Sequence, residues 1–236
     1  RIEAGLASPS LDTLVRLLNA AGFDLRIILE PRVEVDPIIE SYRSSVDQPA
    51  LVASMQMTVD ERLRADQSRG RTAGEALRLS RCLEALHTAD VEFIIVGGIA
   101  ARVHGSAHVT EGLDIVYSRT KANVARMVRA LKSFQPYPRG APAGLPFEWS
   151  AETVQAGLNF TLQTTIGPVD LLGEVAGGGR YEDLLEHTES VTIFGNKTHV
   201  VSLSWLIKLK RAAGSPKDFD MIAALEVLRD LQPPKS

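Results

Sequence analysis

The chain contains 236 residues, of which 44% are hydrophobic and 23% charged, and its formal net charge at pH 7 is −3. This length allows one large domain or two small ones. The charge balance gives no overall basic field, so any nucleic acid would have to be met by a local basic patch. The single cysteine, Cys82, excludes an intramolecular disulfide and a zinc site with several thiolate ligands.

No apolar run approaches the ~20 residues that a transmembrane helix needs, and no signal peptide is visible. We therefore expect a cytoplasmic protein with no membrane partner. Cys82 lies in the apolar pattern "LRLSRCLEALHTA", which predicts a small buried side chain rather than a reactive thiol. Because the chain begins with Arg1 and not with Met, we expect it to be a fragment of a longer polypeptide.

The first 31 residues predict a helix followed by a strand. Ser8 or Ser10 is a suitable N-cap, leucines recur at helical spacing up to Gly22, and "FDLRIILEP" then alternates as a strand. Together with "RIEAG", this segment resembles the second half of the phage-repressor-like, XRE-type helix-turn-helix domains, which bind operator DNA. A plain helix-strand element for dimerisation or packing is the alternative.

In the helix-turn-helix family the recognition helix enters the major groove of DNA. In this sequence that helix and the one before it would precede Arg1. The resemblance therefore implies that this chain alone binds DNA weakly, through phosphate contacts that added salt weakens. A specific complex with operator DNA at physiological salt would contradict this interpretation of the N-terminal segment.

The remaining chain divides into a linker and a domain. Residues 32–74 predict a linker with one or two short helices, because Pro37 and Pro49 interrupt the pattern and "DERLRADQSRGRTAGE" is polar and charged. Residues 75–236 combine helical and strand patterns, which predicts an α/β (α+β) domain.

Within this domain the predicted strands come singly and in pairs. "VEFIIVGG" and "LDIVYS" each predict one strand, and "IAARVHG" between them predicts a helical turn. "NFTLQTTIGPVDLLGEV" and "SVTIFGNKTHVVS" each predict a hairpin, the second with Gly195 and Asn196 in its turn. Helices are predicted at "KANVARMVRALKSF", "SLSWLIKLKRAAG" and "PKDFDMIAALEVLRDL".

Two aspartates inside predicted strands point to metal-dependent phosphate chemistry. Asp114 and Asp170 each have apolar neighbours, and an unpaired carboxylate is costly to bury. Phosphoryl and nucleotidyl transfer use divalent metal ions held by carboxylate oxygens. Gly97 and Gly98 follow the first strand, where backbone N–H groups could approach a phosphate, although an ordinary turn is the alternative. We therefore expect one metal ion shared between the two aspartates.

Four sequence motifs resemble one enzyme family. The run from Gly97 to Val116 resembles the "GG.A...hG..R.T.DlDi" signature of the DNA-polymerase-β-like nucleotidyltransferases, especially the branch found in bacterial toxin-antitoxin and phage abortive-infection systems. "NFTL.T..GPVDLLGEV", "YEDLL" and "LIKLKRAAGSPKD" are similar to later motifs of that branch. The resemblance implies a nucleotidyltransferase fold, with a mixed sheet and C-terminal helices. It also implies Mg²⁺ or Mn²⁺ as cofactor, NTP as substrate, and a cognate toxin or antitoxin protein as partner.

The resemblance also implies roles for particular residues. The nucleotide-binding residues would be Gly97, Gly98, Gly105 and Ser106, the metal ligands Asp114 and Asp170, and the catalytic residues Asp114, Asp170, Lys210 and Asp218. Lys208 is the alternative to Lys210, because only one of the two can point inward from a helix. Asp218 could instead be a first-turn carboxylate that the helix dipole favours.

Two positions depart from the family pattern. Gly112 stands where the first carboxylate of an Asp-x-Asp pair would be, and His108 stands where arginine is usual. Residues i and i+2 of a strand share a face, so an aspartate at position 112 would join Asp114, whereas Glu111 would point to the opposite face unless a bulge turned it. The sequence therefore predicts a site that holds metal weakly and transfers poorly. Gly112 is either a substitution introduced to silence a harmful enzyme or a feature of a naturally inactive relative.

Two functions remain open at this stage. The first is a metal-dependent nucleotidyltransferase of a toxin-antitoxin-like system, which moves NMP from NTP to a hydroxyl of an RNA, such as tRNA, or of a protein. The second is a non-catalytic repressor or antitoxin, whose transferase-like domain binds a nucleotide or a partner protein. His104 and His108 are weaker candidates for metal ligands, since isolated histidines more often pack or hydrogen-bond, and Arg180 after "GGG" could face a phosphate.

Overall fold

The computed structural model describes residues 37–65, 74–108, 110, 112–142, 144 and 146–232. The predicted helix-strand segment at residues 1–31, with its resemblance to helix-turn-helix domains, lies outside the described residues, and so does Glu111. Residues 36–236 form one compact unit, to which all the described residues belong.

A mixed seven-stranded sheet forms the centre of this unit. Its strands are β1 (Phe93–Val96), β2 (Leu113–Tyr117), β3 (Tyr137–Pro138), β4 (Asn159–Thr164), β5 (Gly167–Leu172), β6 (Thr188–Ile193) and β7 (Asn196–Val201). They lie in the order β3-β4-β5-β2-β1-β7-β6. β2 is parallel to β5 and β1 is parallel to β7, whereas the other neighbours are antiparallel. This confirms the predicted α/β class with a mixed sheet.

Helices alternate with the strands along the chain, except that β4 is followed directly by β5 and β6 directly by β7. Those described are α1 (Pro37–Arg43), α2 (Gln48–Gln56), α3 (Val59–Arg64), α4 (Gly74–Thr88), α5 (Gly97–His104), α6 (Lys121–Leu131), α7 (Ala151–Ala156), α8 (Tyr181–Leu185), α9 (Leu203–Ala213) and α10 (Phe219–Leu231). One-turn 3₁₀ helices follow α6 and precede α10. Within the described part of the chain, no helix is both long and apolar enough to cross a bilayer.

The core lies between the sheet and its helices. All four side chains of β1 are buried, as are Ile115 and Val116 of β2. Leu83 and Leu86 of α4 pack in the same cluster because they lie one turn apart on one helix face. Cys82 is also buried there and only 2% exposed, so the prediction of a small buried side chain is confirmed. Burial raises the pKa of its thiol to about 12.

The segment that the sequence predicts as a linker contains α1, α2 and α3. Leu51 of α2 and Leu63 of α3 belong to the main core, and Ile39 of α1 packs against Ile222 and Ala223 of α10. These helices are therefore held by apolar burial as well as by their own hydrogen bonds. The boundary placed at residue 75 stays a prediction.

The hairpins occur where the alternating patterns predict them, but one turn is shifted. In the β6–β7 hairpin the turn consists of Phe194 and Gly195, with φ of 47° and 84°, and Asn196 already belongs to β7. Two consecutive positive φ values are characteristic of the type I′ turn, whose twist suits a hairpin. The first six residues of "IAARVHG", a segment predicted as a single helical turn, belong to the eight-residue α5, and Gly105 follows as its C-cap.

A buried carboxylate connects α1 to the C-terminal helices, and we expect its charge to stabilise the fold. Glu226 of α10 is 6% exposed; its Oε2 accepts a hydrogen bond from Arg43 Nη1 at 3.3 Å and its Oε1 one from Arg211 Nε at 3.1 Å. Glu226→Gln should lower the free energy of unfolding by about 2 kcal/mol, because two guanidinium groups lose the charge of the buried carboxylate that they share. Urea unfolding measures this loss.

The control for this prediction uses the same arginine. Asp230 also pairs with Arg43, at 2.7 Å, but its side chain is 46% exposed. Exposed ion pairs contribute about 0–1 kcal/mol, so Asp230→Asn should have the smaller effect. Equal losses of unfolding free energy in the two variants would mean that the buried ion pairs of Glu226 contribute no more to stability than the exposed pair of Asp230.

Candidate functional site

The two predicted metal ligands lie side by side. β2 and β5 are parallel neighbours, and their register pairs Asp114 directly with Asp170. Residues paired in this way project to the same face of the sheet and have backbones ~4.8 Å apart. Asp114 and Asp170, which the sequence predicts to share one metal ion, therefore lie on adjacent strands with their side chains on one face, and both residues are partly buried.

The glycine pair lies directly against the first of these carboxylates. β1 pairs Val96 with Asp114, and the chain then turns into α5 at Gly97, whose φ is +62°. Any Cβ at Gly97 would overlap Asp114 Oδ2, so both the backbone conformation and the space require glycine there. The N–H of Gly98 hydrogen-bonds the Asp114 carboxylate, and no side chain caps the first turn of α5. The start of α5 thus presents backbone donors beside the aspartates.

The electrostatic environment of Asp114 is unfavourable to its negative charge. Burial, and after it the neighbouring Asp170, raise the pKa of Asp114 to about 6. The Gly98 N–H and the positive charges of Lys210 and Arg139 act on this pKa in the opposite direction. Two adjacent carboxylates repel each other, so a cation between them would relieve the repulsion.

Of the two lysines on α9, Lys210 is the one directed to the site. Its Nζ lies 2.7 Å from Asp218 Oδ1, and its positive charge acts to lower the pKa of Asp114. Lys208 points elsewhere, with its Nζ 3.6 Å from the centre of the Trp205 ring. Lys210 and Lys208 therefore lie on different faces of α9, and Asp218 pairs with Lys210 as well as lying at the start of α10. The part of Lys210 and Asp218 in the site stays a prediction.

Sequence reasoning missed one cation of the site, Arg139. Its Nη2 lies 2.8 Å from Asp170 Oδ2, and its backbone N–H donates to the carbonyl oxygen of Thr161 at 2.9 Å. Thr161 of β4 is paired with Asp170 of β5, so the backbone bond places Arg139 opposite the aspartate. Arg139 occurs in the Pro/Gly-rich run "PYPRGAPAGLP", which carries no signal for this contact.

Gly105 and Ser106 lie at the other end of α5. Gly105 ends the helix with φ of +115°, and a Cβ there would contact Met55 and Leu228. Ser106 is 1% exposed, and its hydroxyl accepts a hydrogen bond from the backbone N–H of His108 at 3.1 Å. Eight helical residues span about 12 Å, so both residues are remote from Gly97. The structure therefore does not bring Ser106, a predicted nucleotide-binding residue, beside Gly97, because α5 is a full helix rather than one turn.

Two of the weaker candidates, His104 and Arg180, have partners for their side chains, and His108 makes hydrogen bonds through its backbone. His104 Nε2 lies 2.7 Å from the carbonyl oxygen of Val201, and Arg180 Nε lies 3.7 Å from Glu174 Oε2 on the surface. The backbone carbonyl of His108 accepts a hydrogen bond from Arg102. Among the described residues, no group of three or more His, Cys, Asp or Glu side chains could hold a metal ion.

The carboxylate pair nevertheless offers suitable donors for a divalent cation. Asp170 Oδ1 is buried and has no hydrogen-bond partner, which is unusual for a carboxylate oxygen. Mg²⁺ takes oxygen ligands and usually keeps several waters beside one or two carboxylates and substrate phosphates. Asp114 and Asp170 therefore fit a cation that also binds a phosphate, although a third protein ligand is absent from the described part of the site.

Gly112 lies where a third carboxylate would enter. A Cβ built on Gly112 would be 3.1 Å from Pro168 Cβ and 3.2 Å from its carbonyl oxygen. Pro168 and Asp170 are two residues apart on β5 and so share a face. A side chain at position 112 would therefore project on the face of both aspartates, but only after Pro168 moves by a few tenths of an ångström.

No protein-family model and no curated protein sequence matches the chain. Among solved structures, the chain is similar to the solution structure of the antibiotic-resistance factor ANT(2'')-Ia, a nucleotidyltransferase. The likeness covers 65% of this chain and 88% of that one, with 13% identity and a TM-score of 0.39. A likeness this weak does not assign a function, so any assignment depends on the arrangement of residues described above.

Proposed function

We propose that this chain carries a nucleotidyltransferase site of the toxin-antitoxin type, which moves NMP from NTP to a hydroxyl of an RNA, such as tRNA, or of a protein. The observation that supports it is the direct pairing of Asp114 with Asp170, with Gly97 and the start of α5 against Asp114. This is the arrangement that the nucleotidyltransferase resemblance implies for these residues.

In the proposed reaction, the acceptor hydroxyl attacks the α-phosphorus of NTP. A phosphorus–oxygen bond forms to the acceptor, the bond to the bridging oxygen breaks, and pyrophosphate leaves, while the proton of the acceptor hydroxyl passes to solvent water. Backbone N–H groups at the start of α5 would bind phosphate oxygens, and Lys210 would offset their charge. Mg²⁺ or Mn²⁺ held by Asp114 and Asp170 would add positive charge at the phosphates.

Gly112 weakens this site in the proposal. Two carboxylates bring less negative charge to a divalent cation than three, and the affinity of such sites depends on the number of charged ligands. The chain would then bind NTP through the helix start and the nearby cations but turn over slowly. The same feature favours the second function, a repressor or antitoxin whose domain binds a nucleotide or partner protein without catalysis.

Nucleotide binding tests the proposal directly. In the presence of Mn²⁺, the chain should bind labelled NTP, and Asp170→Asn should weaken that binding about tenfold or more, because one charged ligand is lost. Fluorescence anisotropy measures the dissociation constants. Glu84→Gln, which changes an exposed carboxylate on α4, is the matched control and should leave binding unchanged.

Two outcomes would count against the proposed site. Failure to bind any NTP at millimolar Mn²⁺ would remove both the transferase and the nucleotide-binding alternative. Equal binding by the wild-type chain and Asp170→Asn would mean that nucleotide binds elsewhere on the protein. Binding without turnover in both this chain and its Gly112→Asp form would favour the non-catalytic function.

A further inference from the structure

Arg139 is placed at the site by the sheet rather than by its own neighbours in sequence. β3 is a two-residue edge strand paired with β4, and the backbone N–H of Arg139 extends that pairing to Thr161. The ring of Tyr137 packs edge-on against Phe147, 6.1 Å between centroids, and its hydroxyl donates to the carbonyl of Pro142 at 2.8 Å. These contacts brace the segment that carries Arg139.

The ion pair of Arg139 uses only one side of the Asp170 carboxylate. Arg139 Nη2 contacts Oδ2, whereas Oδ1 is buried and has no partner. The Arg139 side chain is 39% exposed, so its guanidinium borders solvent and has room to turn. An arginine with donors to spare, next to two carboxylates that could bind a cation, is well placed to meet the phosphates that such a cation would bring.

We propose that Arg139 is a nucleotide-binding residue that exchanges partners: it pairs with Asp170 when no cation is bound there, and it binds phosphate oxygens of NTP when a divalent cation occupies the carboxylates. This rests on the proposed function of the same site. The planar guanidinium suits phosphate oxygens, to which it can donate two parallel hydrogen bonds. In a site with Gly112, its charge contributes more of the attraction for triphosphate than it would beside three carboxylates and their metal.

The exchange makes two opposite predictions for one variant. Arg139→Gln removes the competitor for Asp170, so Mn²⁺ without nucleotide should bind about threefold or more tightly. The same variant removes a charged donor to phosphate, so labelled NTP with Mn²⁺ should bind about tenfold or more weakly. Arg139→Lys keeps the charge but loses the planar fork and should fall between the two for NTP.

The experiment measures Mn²⁺ binding by electron paramagnetic resonance and NTP binding by anisotropy, in the wild-type chain and both variants. Arg126→Gln is the control, because Arg126 of α6 pairs with Glu92, the residue before β1, at 3.3 Å, and not with the aspartates. Tighter Mn²⁺ binding together with weaker NTP binding in Arg139→Gln supports the proposal.

The other outcomes separate the two proposals. If the wild-type chain binds NTP and Arg139→Gln binds it equally well, Arg139 is only a structural ion pair and the inference is overturned while the proposed function stands. If the wild-type chain binds no NTP, the proposed function fails, and Arg139 with it as a nucleotide ligand. Weaker Mn²⁺ binding in Arg139→Gln would also overturn the exchange, because it would mean that the arginine orients Asp170 for the metal.

Discussion

Gly112→Asp is expected to raise nucleotide incorporation at least about 100-fold and to tighten Mg²⁺-dependent NTP binding. The new carboxylate would project on the face shared by Asp114 and Asp170, where the three could neutralise a divalent cation bound to triphosphate. Loss of one preorganised charge-stabilising group costs on the order of 3 kcal/mol in a transition state, which corresponds to ~100-fold in rate. Incorporation of labelled nucleotide into total tRNA measures the gain.

Two matched variants separate the charge from the space it occupies. Gly112→Ala adds only the Cβ that approaches Pro168, and so measures the packing cost by itself. Gly112→Asn has nearly the shape of aspartate but brings no negative charge, so it should fold like Gly112→Asp and remain inactive. Thermal unfolding of all three variants establishes whether each is folded at the assay temperature.

A folded Gly112→Asp protein that shows neither tighter Mg²⁺-dependent binding nor new incorporation would contradict this expectation. The lack of activity would then not be caused by a missing carboxylate at position 112, and the non-catalytic function would be favoured. If Gly112→Ala and Gly112→Asp both unfold, Pro168 cannot yield, and the test moves to the same substitutions combined with Pro168→Gly. That change removes the Cβ that lies 3.1 Å from the added atom and lets the backbone of residue 168 move more freely.

The metal-binding end of the site could be predicted because it depends on local pattern. Asp114 and Asp170 are polar residues inside short apolar strands, and a strand fixes which neighbours share a face. Gly97 follows a buried strand directly, and its closeness to Asp114 follows once β1 and β2 are neighbours. The orientation of Lys210 followed from the family pattern, because helical spacing alone does not choose between it and Lys208.

The rest of the site depends on contacts between distant segments. Arg139 reaches Asp170 because β3 pairs with β4 and β4 with β5, and no pattern within "PYPRGAPAGLP" encodes either pairing. The position of Ser106 differs from the predicted one for another reason. The segment after Gly98 was predicted as a single turn, whereas packing of α5 against the core extends it to eight residues and moves Ser106 to the far end. Tertiary packing overrode the local pattern there.

The unfavourable negative charge of Asp114 should also lower the stability of the protein. Asp114→Asn is expected to raise the free energy of unfolding at about pH 7.5, without divalent metal, by roughly 1–3 kcal/mol. The physical reason is that burial and the adjacent Asp170 raise the pKa of Asp114 to about 6 from an ordinary value of 3.8. The ionised carboxylate is therefore destabilised in the folded state, while asparagine can still accept the hydrogen bond from Gly98.

The stabilisation that Asp114→Asn brings should depend on pH. A folded-state pKa above the unfolded one means that protonated Asp114 costs nothing below about pH 4, and that the penalty grows as the pH rises through about 6 and is constant above it. The advantage of Asp114→Asn should thus vanish near pH 4 and be largest above pH 7, where it corresponds to an increase in Tm of about 2–4 °C per kcal/mol. Added Mn²⁺ should stabilise the wild-type chain more than the variant, and so reduce the difference between their free energies of unfolding. Thermal unfolding across this pH range, with Glu84→Gln as control, measures the difference in Tm between the wild-type chain and Asp114→Asn. A difference that is independent of pH would mean that packing, not charge, distinguishes the two proteins.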